Sequence, residues 1–420
     1  MGSACCGTAK VEPLNPADSL PSDWSPLVAH AFFSHEGGAG GLGKENQDVV
    51  FVAQPSAEIG IFGVLDGHGK EHGRLAAQVG AAALRSHLTA EHLRLAEDSE
   101  SVLTEAFASA HAAIRDAILR ADTTNVREGA DGSVLQWLLP EDDDEEARWD
   151  AAAGGTTATL AVLIAPPGGA AKLVVAAVGD SAAHFLARGA DGRVAPTALF
   201  EEHAPTNEGE HKRMAAGPRG KELMWLYDCP SPEDGLSEKP PIFDGDGRPD
   251  LASQKTADDL EVRIKNARGD RCTVILIPEE EVAVVDPPTG RPAVATVDEQ
   301  NLTMTRSLGD FHAHRYGVSH APDVRTFALA DLLAGADSGG VAALCSDGVW
   351  DLMDEREVGE VLWPAEAAAD GSAWQRIEGR AATLCEAARA RGSEWFGESA
   401  DNLTGVLIDL RSVSGAEVSV

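Results

Sequence analysis

The stretch Val64-Leu65-Asp66-Gly67-His68-Gly69 decides how this sequence folds and where its chemistry lies. It closes the apolar run Ile59–Leu65, which is typical of a buried strand bounded by turn residues. A carboxylate directly after a buried strand is costly unless it is paired or bound to a cation. A single Asp-Gly pair is most often a tight turn, so only recurrence of the pattern would indicate a site.

Aspartates flank four other strand-like runs of the chain. They are Asp48 before Val49–Ala53, Asp180 after Lys172–Val178, Asp347 after Val341–Cys345, and Asp401 before Asn402–Leu410. Strands lying side by side would gather these carboxylates at one edge of a sheet. Oxygen ligands suit Mg²⁺ or Mn²⁺, and few Cys or His residues stand nearby for zinc or copper. The recurrence therefore predicts a divalent-cation centre.

Charge and composition narrow the classes of function. The 420 residues include 34 Lys and Arg against 68 Asp and Glu, a formal net charge of −34. This acidity argues against nucleic acid and against a generic anionic membrane surface, since both bind through basic residues. The six cysteines form no C-x-x-C pair, which favours a reducing, cytoplasmic compartment over a disulfide scaffold or a structural zinc site. No apolar run reaches the length of about 18 residues that a transmembrane helix requires.

The remaining segments predict a mixed α and β chain from about residue 28. Helices are predicted at Glu71–His92, Ser99–Ala121, Asp354–Leu362 and Trp374–Arg391, and further strands at Thr156–Ala165 and Ala182–Arg188. Two polar stretches, 122–152 and 217–299, are interpreted as surface insertions with only short apolar pieces. Residues 1–27 are interpreted as a disordered leader and 412–420 as a tail.

The first residues, Met-Gly-Ser-Ala-Cys-Cys-Gly, leave two interpretations open. Gly2 could carry myristate after methionine removal, and Cys5 and Cys6 could take a second lipid, giving peripheral membrane attachment. Against this, Cys6 stands where the usual pattern has Ser or Thr. The alternative is a plain leader without lipid.

Eight motifs give the chain a resemblance to a known family. They are Lys44–Asp48, Gly63–Gly69, Gly154–Ala158, Ala177–Ser181, Glu202–Pro205, Thr305–Asp310, Cys345–Asp351 and Asp401–Thr404. In this order they resemble the PPM-type (type 2C) metal-dependent serine/threonine protein phosphatases, over about residues 28–411. The resemblance implies an α+β fold, a four-layer α-β-β-α sandwich with two central antiparallel β-sheets and a metal centre in the cleft at one end.

The resemblance also implies metal ligands. Asp66 would bridge two Mg²⁺ or Mn²⁺ ions, with the Gly67 carbonyl as a further ligand. Asp347 and Asp401 would bind the first metal. Gln47 takes the place of a glutamate that binds the second metal in many members, so we expect that site to be weaker here.

Further roles follow from the same resemblance. Asp180 and Asp351, together with Asp347, would form a weaker third metal site. Asp48 would hold a metal-bound water, and His68 would be the general acid.

The phosphate-binding arginine of many members is missing. Its position is Gly43, and the neighbouring Lys44 could reach phosphate as a point charge without the two-pronged contact of Arg. A solvated loop lysine is the alternative interpretation of Lys44.

The implied activity is hydrolysis of phosphoserine and phosphothreonine in proteins, by in-line attack of a water activated by at least two metals. The expected partners are phosphorylated proteins, and a monomer is the default state. The alternative is a catalytically silent relative that binds phosphoproteins or inhibits another phosphatase. Gln47 and the missing arginine support that alternative, whereas the retained aspartates and His68 favour activity.

Overall fold

The computed structural model describes most of the chain. The described residues are 26–37, 45–122, 125–129, 131–138, 148–228, 239–250, 253, 265–266, 270, 272–285, 291–364 and 371–413. Three predictions lie outside them: the leader with its acylation residues Gly2, Cys5 and Cys6, the phosphate contact Lys44, and most of the tail. No helix in the described ranges is long and apolar enough to span a bilayer.

Runs of strands and runs of helices follow one another along the chain. The strands are β1 His30–His35, β2 Val49–Ser56, β3 Ile59–Leu65, β4 Gly67–His68, β5 Val126–Glu128, β6 Val134–Leu138, β7 Arg148–Ala151, β8 Gly155–Thr156, β9 Ala158–Ile164, β10 Lys172–Val178, β11 Ala183–Arg188, β12 Val194–Ala198, β13 Met224–Tyr227, β14 Thr273–Ile277, β15 Glu280–Val285, β16 Pro292–Val297, β17 Gln300–Leu302, β18 Leu308–Gly309, β19 Asp323–Ala328, β20 Gly339–Cys345 and β21 Leu403–Asp409. The helices are α1 Gly73–Ala90, α2 His92–Glu97, α3 Ser99–Ala121, α4 Glu208–Ala215, α5 Phe311–His314, α6 Leu329–Leu333, α7 Asp347–Trp350, α8 Glu355–Leu362 and α9 Ala373–Phe396.

Two five-stranded antiparallel sheets form the centre. One sheet has the strand order β19-β10-β9-β3-β2 and the other β1-β21-β20-β11-β12. Successive residues of β3 alternate between two environments. Ile61 and Leu65 pack with the apolar faces of α1 and α3, whereas Phe62 and Val64 pack against the second sheet. Because both faces are covered, β3 is apolar throughout rather than alternating with polar residues.

The second sheet is covered on its outer face by α8 and α9. Phe33 and Leu407 pack against these helices, while Phe185 and Val406 face the first sheet. Asp354 caps α8 in a capping box. Its side chain accepts from the Glu357 backbone N–H, and the Glu357 side chain accepts from the Asp354 backbone N–H. The expected four-layer α-β-β-α sandwich is therefore present.

The two insertions are more ordered than the sequence indicated. Residues 122–152 contain the sheet β5-β6-β7, and residues 217–299 contain β13 and β14 and the hairpin β15-β16. Leu135 and Trp149 of the first insertion share one apolar cluster with Val282 and Val297 of the second. Apolar residues of the two insertions therefore pack against each other.

Candidate metal centre

The register of the first sheet places two of the predicted acids together. Val49 pairs with Leu65 across β2 and β3, so Asp48, before β2, and Asp66, after β3, lie at the same end. The Asp66 backbone is fixed by Thr157, whose hydroxyl accepts from the Asp66 N–H at 3.0 Å. The sheet therefore delivers both carboxylates to one edge.

The second sheet contributes two more acids at the same place. Cys345 of β20 pairs with Gly405 of β21, which brings Asp347, just after β20, next to Asp401, just before β21. A Cβ atom at Gly348 would lie 2.0 Å from the Asn402 carbonyl oxygen. The glycine after Asp347 is therefore required by the close approach of the two chain segments.

Three of these carboxylates, Asp48, Asp66 and Asp347, have raised pKa values. Burial raises the pKa of Asp66 well above its usual range, and the negative charges of Asp48, Asp347 and Asp401 add to the effect. Burial and then Asp401 raise the pKa of Asp48 to about 7. Burial, followed by Asp180 and Asp401, raises the pKa of Asp347 to about 6. Bound cations would lower these raised pKa values, because a nearby positive charge favours the ionised carboxylate.

Buried oxygens without partners show that the group fits a cation. Among the described residues, Asp347 Oδ1 and both carboxylate oxygens of Asp48 are buried without a hydrogen-bond partner. Hydroxyls of Ser346 and Thr404 lie close enough to lower the Asp48 pKa. The Ser346 hydroxyl donates to the Thr404 carbonyl, and the Thr404 hydroxyl shares a hydrogen bond with Ser34 Oγ in which either oxygen can donate. Oxygen donors of this kind suit Mg²⁺ or Mn²⁺.

Gly67 and Gln47 adjoin these acids. A Cβ atom at Gly67 would lie 2.6 Å from the Gly73 carbonyl oxygen and 2.7 Å from that of Gln47, so only glycine fits there. Gln47 donates from Nε2 to the Gly69 carbonyl at 3.0 Å and from its backbone N–H to Asn402 Oδ1 at 2.9 Å. With its amide NH₂ engaged, Gln47 retains the side-chain oxygen as the atom that could bind a metal.

His68 lies beside the acids and is held by Asp310. The His68 Nε2 atom is 2.8 Å from Asp310 Oδ2, which also accepts from Ser307 Oγ at 2.6 Å. Burial works to lower the His68 pKa, but the charges of Asp310, Asp180 and Asp347 outweigh it and raise the pKa. Its other nitrogen, Nδ1, is buried without a hydrogen-bond partner in the described part of the chain. These charges favour the protonated ring, in which Nδ1–H would be left to donate.

Asp310 was missed as a functional residue by sequence reasoning. It stands in the left-handed region, at φ 45° and ψ 45°, which is uncommon for a non-glycine residue. A Cβ atom at Gly155 would lie 2.2 Å from its carboxylate, so the glycine makes room for the acid. The signal available in the sequence was the Gly-Asp turn that ends the Thr305–Asp310 motif.

Glu210 is the shared partner of two arginines, Arg306 and Arg213. Arg306 Nη2 lies 2.6 Å from Glu210 Oε1, and Arg213 Nη2 lies 2.8 Å from Glu210 Oε2. Thr305 Oγ1 also donates to Oε2, at 2.8 Å. Burial opposes ionisation of Glu210, but the two arginines dominate and lower its pKa to about 2. Glu210 and Arg213 thus belong to a buried network and not to an exposed pair on a helix surface.

The remaining predicted ligands, Asp180 and Asp351, line a cavity of about 600 Å³ together with Asp347. Lys265 of the second insertion also lines it, with Nζ 3.7 Å from Asp180 Oδ2 and 3.9 Å from Asp351 Oδ1. A second cavity of about 370 Å³ is lined by His68 and Asp310, among others. The catalytic candidates therefore face open space on two sides.

A family model for protein phosphatase 2C matches residues 39–219 and 289–394 of the sequence. This chain belongs to the protein phosphatase 2C family. It is a metal-dependent phosphoprotein phosphatase, as the motifs predicted. The match leaves out 220–288, which is most of the second insertion.

Solved phosphatase structures resemble this phosphatase in fold. Serine-threonine phosphatase 2C from Toxoplasma gondii is 17% identical, with a TM-score of 0.52 over 92% of this chain and 98% of that one. A serine/threonine phosphatase from Mycobacterium tuberculosis is 16% identical, with a TM-score of 0.43 over 91% and 99%. Comparison with curated proteins gives no match.

The structure thus assembles the predicted site of the phosphatase wherever it describes the residues. Those brought together are Gln47, Asp48, Asp66, Gly67, His68, Asp180, Asp347, Asp351 and Asp401. Their individual roles stay predictions. Lys44 lies outside the described residues.

Proposed function

We propose that this phosphatase hydrolyses phosphoserine and phosphothreonine in proteins by direct attack of water at a centre of two Mg²⁺ or Mn²⁺ ions. The observation that carries the proposal is the group of acids at the meeting edge of the two sheets. Burial and neighbouring charges raise the pKa of Asp48, Asp66 and Asp347, and the group includes buried oxygens without partners among the described residues. When bound, two such cations lower the pKa of a bridging water and neutralise charge on the phosphoryl oxygens.

Different residues of the chain would hold each of the two ions. Asp66 lies centrally, since its pKa responds to Asp48, Asp347 and Asp401, and we assign it the bridging position. Asp347 and Asp401 would hold the first ion. The Gly67 carbonyl and the Gln47 side-chain oxygen would help to hold the second. Asp48 would accept from a metal-bound water through the oxygens that have no partner among the described residues.

His68 supplies the proton to the leaving group. A serine or threonine alkoxide is strongly basic, so a positioned acid accelerates its departure. Asp310 holds the ring through Nε2 at 2.8 Å and stabilises the protonated form. The Nδ1–H is the donor that remains for the substrate oxygen.

The proposed substrates are phosphoproteins with basic residues near the phosphosite. Five acids line the larger cavity: Asp180, Glu202, Asp270, Asp347 and Asp351. Complementary charge favours association, more so at low salt. Equal kcat/KM values for matched phosphopeptides with basic and acidic flanks would remove this preference.

The proposal is tested by phosphate release from a phosphothreonine peptide in Mn²⁺. We expect the wild-type chain to hydrolyse it and Asp347→Asn to lose at least 100-fold in kcat, because the first ion loses a charged ligand. The control is Asp331→Asn, which changes an exposed aspartate of α6 and should leave kcat unchanged. An Asp347→Asn variant as active as the control would contradict the assignment.

The second-metal role of Gln47 has its own test. Replacing Gln47 by Glu restores a charged ligand and should lower the Mn²⁺ concentration that gives half-maximal activity. An unchanged concentration would show that Gln47 is not a ligand.

A further inference from the structure

The second insertion places a lysine among acids predicted to bind a metal. Lys265 Nζ lies between Asp180 Oδ2, at 3.7 Å, and Asp351 Oδ1, at 3.9 Å. The Asp180 side chain is only 3% exposed, and those of Asp351 and Lys265 are 19% and 26% exposed. These are the two carboxylates that, with Asp347, were expected to form a third metal site.

The lysine is held there by its own loop. Its backbone N–H donates to the Asp270 carbonyl at 2.7 Å. Asn266, which is 2% exposed, exchanges two hydrogen bonds with Asp270, at 2.8 and 3.1 Å. Cys272 accepts from the Asp228 N–H at 2.9 Å. The hydrogen bonds among Lys265, Asn266 and Asp270 hold Lys265 at this position.

The lysine shares its cavity with acids that include Asp180, Glu202, Asp347 and Asp351. A protonated amine at this point offsets the nearby carboxylates as a cation would. A divalent ion that bound between Asp180 and Asp351 would have to displace the ammonium group.

We propose that Lys265 takes the place of a third metal ion, so that this phosphatase works with two metals and a cation tethered to its own insertion. The inference rests on the proposed two-metal function. It follows from the distances and from the built loop, and it gives the insertion a role in the site itself.

The test is the number of Mn²⁺ ions bound by the whole chain, measured by titration calorimetry and by equilibrium dialysis. We expect two ions in the wild-type chain. We expect a third in Lys265→Ala, with at least tenfold higher affinity than any third ion in the wild type. Adding Asp180→Asn to Lys265→Ala should remove the third ion again.

The matched control is Lys239→Ala, because Lys239 lies in the same insertion but pairs with Asp228, at 3.2 Å. It should bind two ions, as the wild type does. Lys265→Gln, which keeps much of the side-chain volume, serves as a second variant if Lys265→Ala does not fold.

Three Mn²⁺ ions in the wild type, or only two in both Lys265 variants, would overturn the role of Lys265 while leaving the two-metal function intact. A wild-type chain that binds no Mn²⁺ would instead overturn the proposed function, and the role of Lys265 with it. The two failures are therefore distinguishable without an activity measurement.

Discussion

Replacing Glu210 by Gln should strongly destabilise the fold, because Glu210 is the shared acceptor of a buried network. The carboxylate binds Arg213, Arg306 and the Thr305 hydroxyl, and its side chain is 7% exposed. The network ties α4 to the segment that leads to Asp310. Glutamine keeps the shape but removes the charge that both arginines need.

The magnitude follows from the pKa of Glu210. It falls from 4.5 to about 2 in the folded chain, and each pKa unit corresponds to about 1.4 kcal/mol. Ionised Glu210 therefore contributes about 3 kcal/mol to the free energy of unfolding, the range expected when one partner of a buried ion pair is removed. Since the folded pKa is the lower one, this contribution is complete above pH 4.5 and is lost as the pH falls towards about 2.

The assay is urea unfolding at pH 7, followed by circular dichroism, on wild type and Glu210→Gln. The matched control is Glu208→Gln, on the same helix, where the pair with Lys212 at 3.2 Å is exposed and should contribute less than about 1 kcal/mol. A loss below about 1 kcal/mol in Glu210→Gln, or equal losses in the two variants, would refute the argument.

Three further predictions follow from the site and its surroundings. Asp310→Asn should lower the His68 pKa, because the carboxylate that raises it is lost; the alkaline fall of kcat should then begin at lower pH, and an unshifted pH profile would exclude the pair. In Gly155→Ala the alkaline fall of kcat should also begin at lower pH, because the added Cβ would lie 2.2 Å from the Asp310 carboxylate. A pH profile like that of the wild type would show that the carboxylate has room for this Cβ. Burial and neighbouring histidines lower the pKa of His111 to about 2 and of His314 to about 4, from 6.5, so their contribution to stability is complete above pH 6.5 and falls with acidification. Together the two histidines should lower the free energy of unfolding by about 3 kcal/mol at pH 5.5 relative to pH 8. Urea unfolding at both pH values checks this, and His314→Asn should reduce the difference by about half.

Local sequence was sufficient for seven of the ten strands of the two central sheets, whereas β1, β12 and β19 were not predicted. The prediction of Lys172–Val178 as a strand and Ser99–Ala121 as a helix is confirmed at both ends. Asp98 caps that helix by accepting from the Ser101 N–H. Long apolar runs with such end signals specify their own structure, because burial and capping act over a few residues.

The metal centre could be predicted for a related reason. Asp66 and Asp347 each follow a buried strand directly, so their position depends mainly on where the strand ends. The antiparallel registers then bring the ends together. The ends of single strands therefore determine both the sheets and the positions of these aspartates.

Two side-chain pairs that join distant parts of the sequence, His68–Asp310 and Lys265–Asp180, could not be predicted. His68 and Asp310 are 242 positions apart, yet they are 2.8 Å apart in space. Lys265 contacts Asp180 from the second insertion, whose sequence is polar with only short apolar pieces. These pairs depend on how elements pack, and no local pattern of residues encodes that packing.

The most direct test of the account is Mn²⁺-dependent hydrolysis of p-nitrophenyl phosphate by wild type and Asp66→Asn. Asp66 is the acid whose pKa responds to Asp48, Asp347 and Asp401 together, so both ions depend on it. The account predicts a wild-type rate that rises with Mn²⁺ and disappears with a chelator, and an Asp66→Asn rate at least 100-fold lower at saturating Mn²⁺. Equal rates for the two chains, or a wild-type rate unaffected by the chelator, would contradict a metal centre at this site.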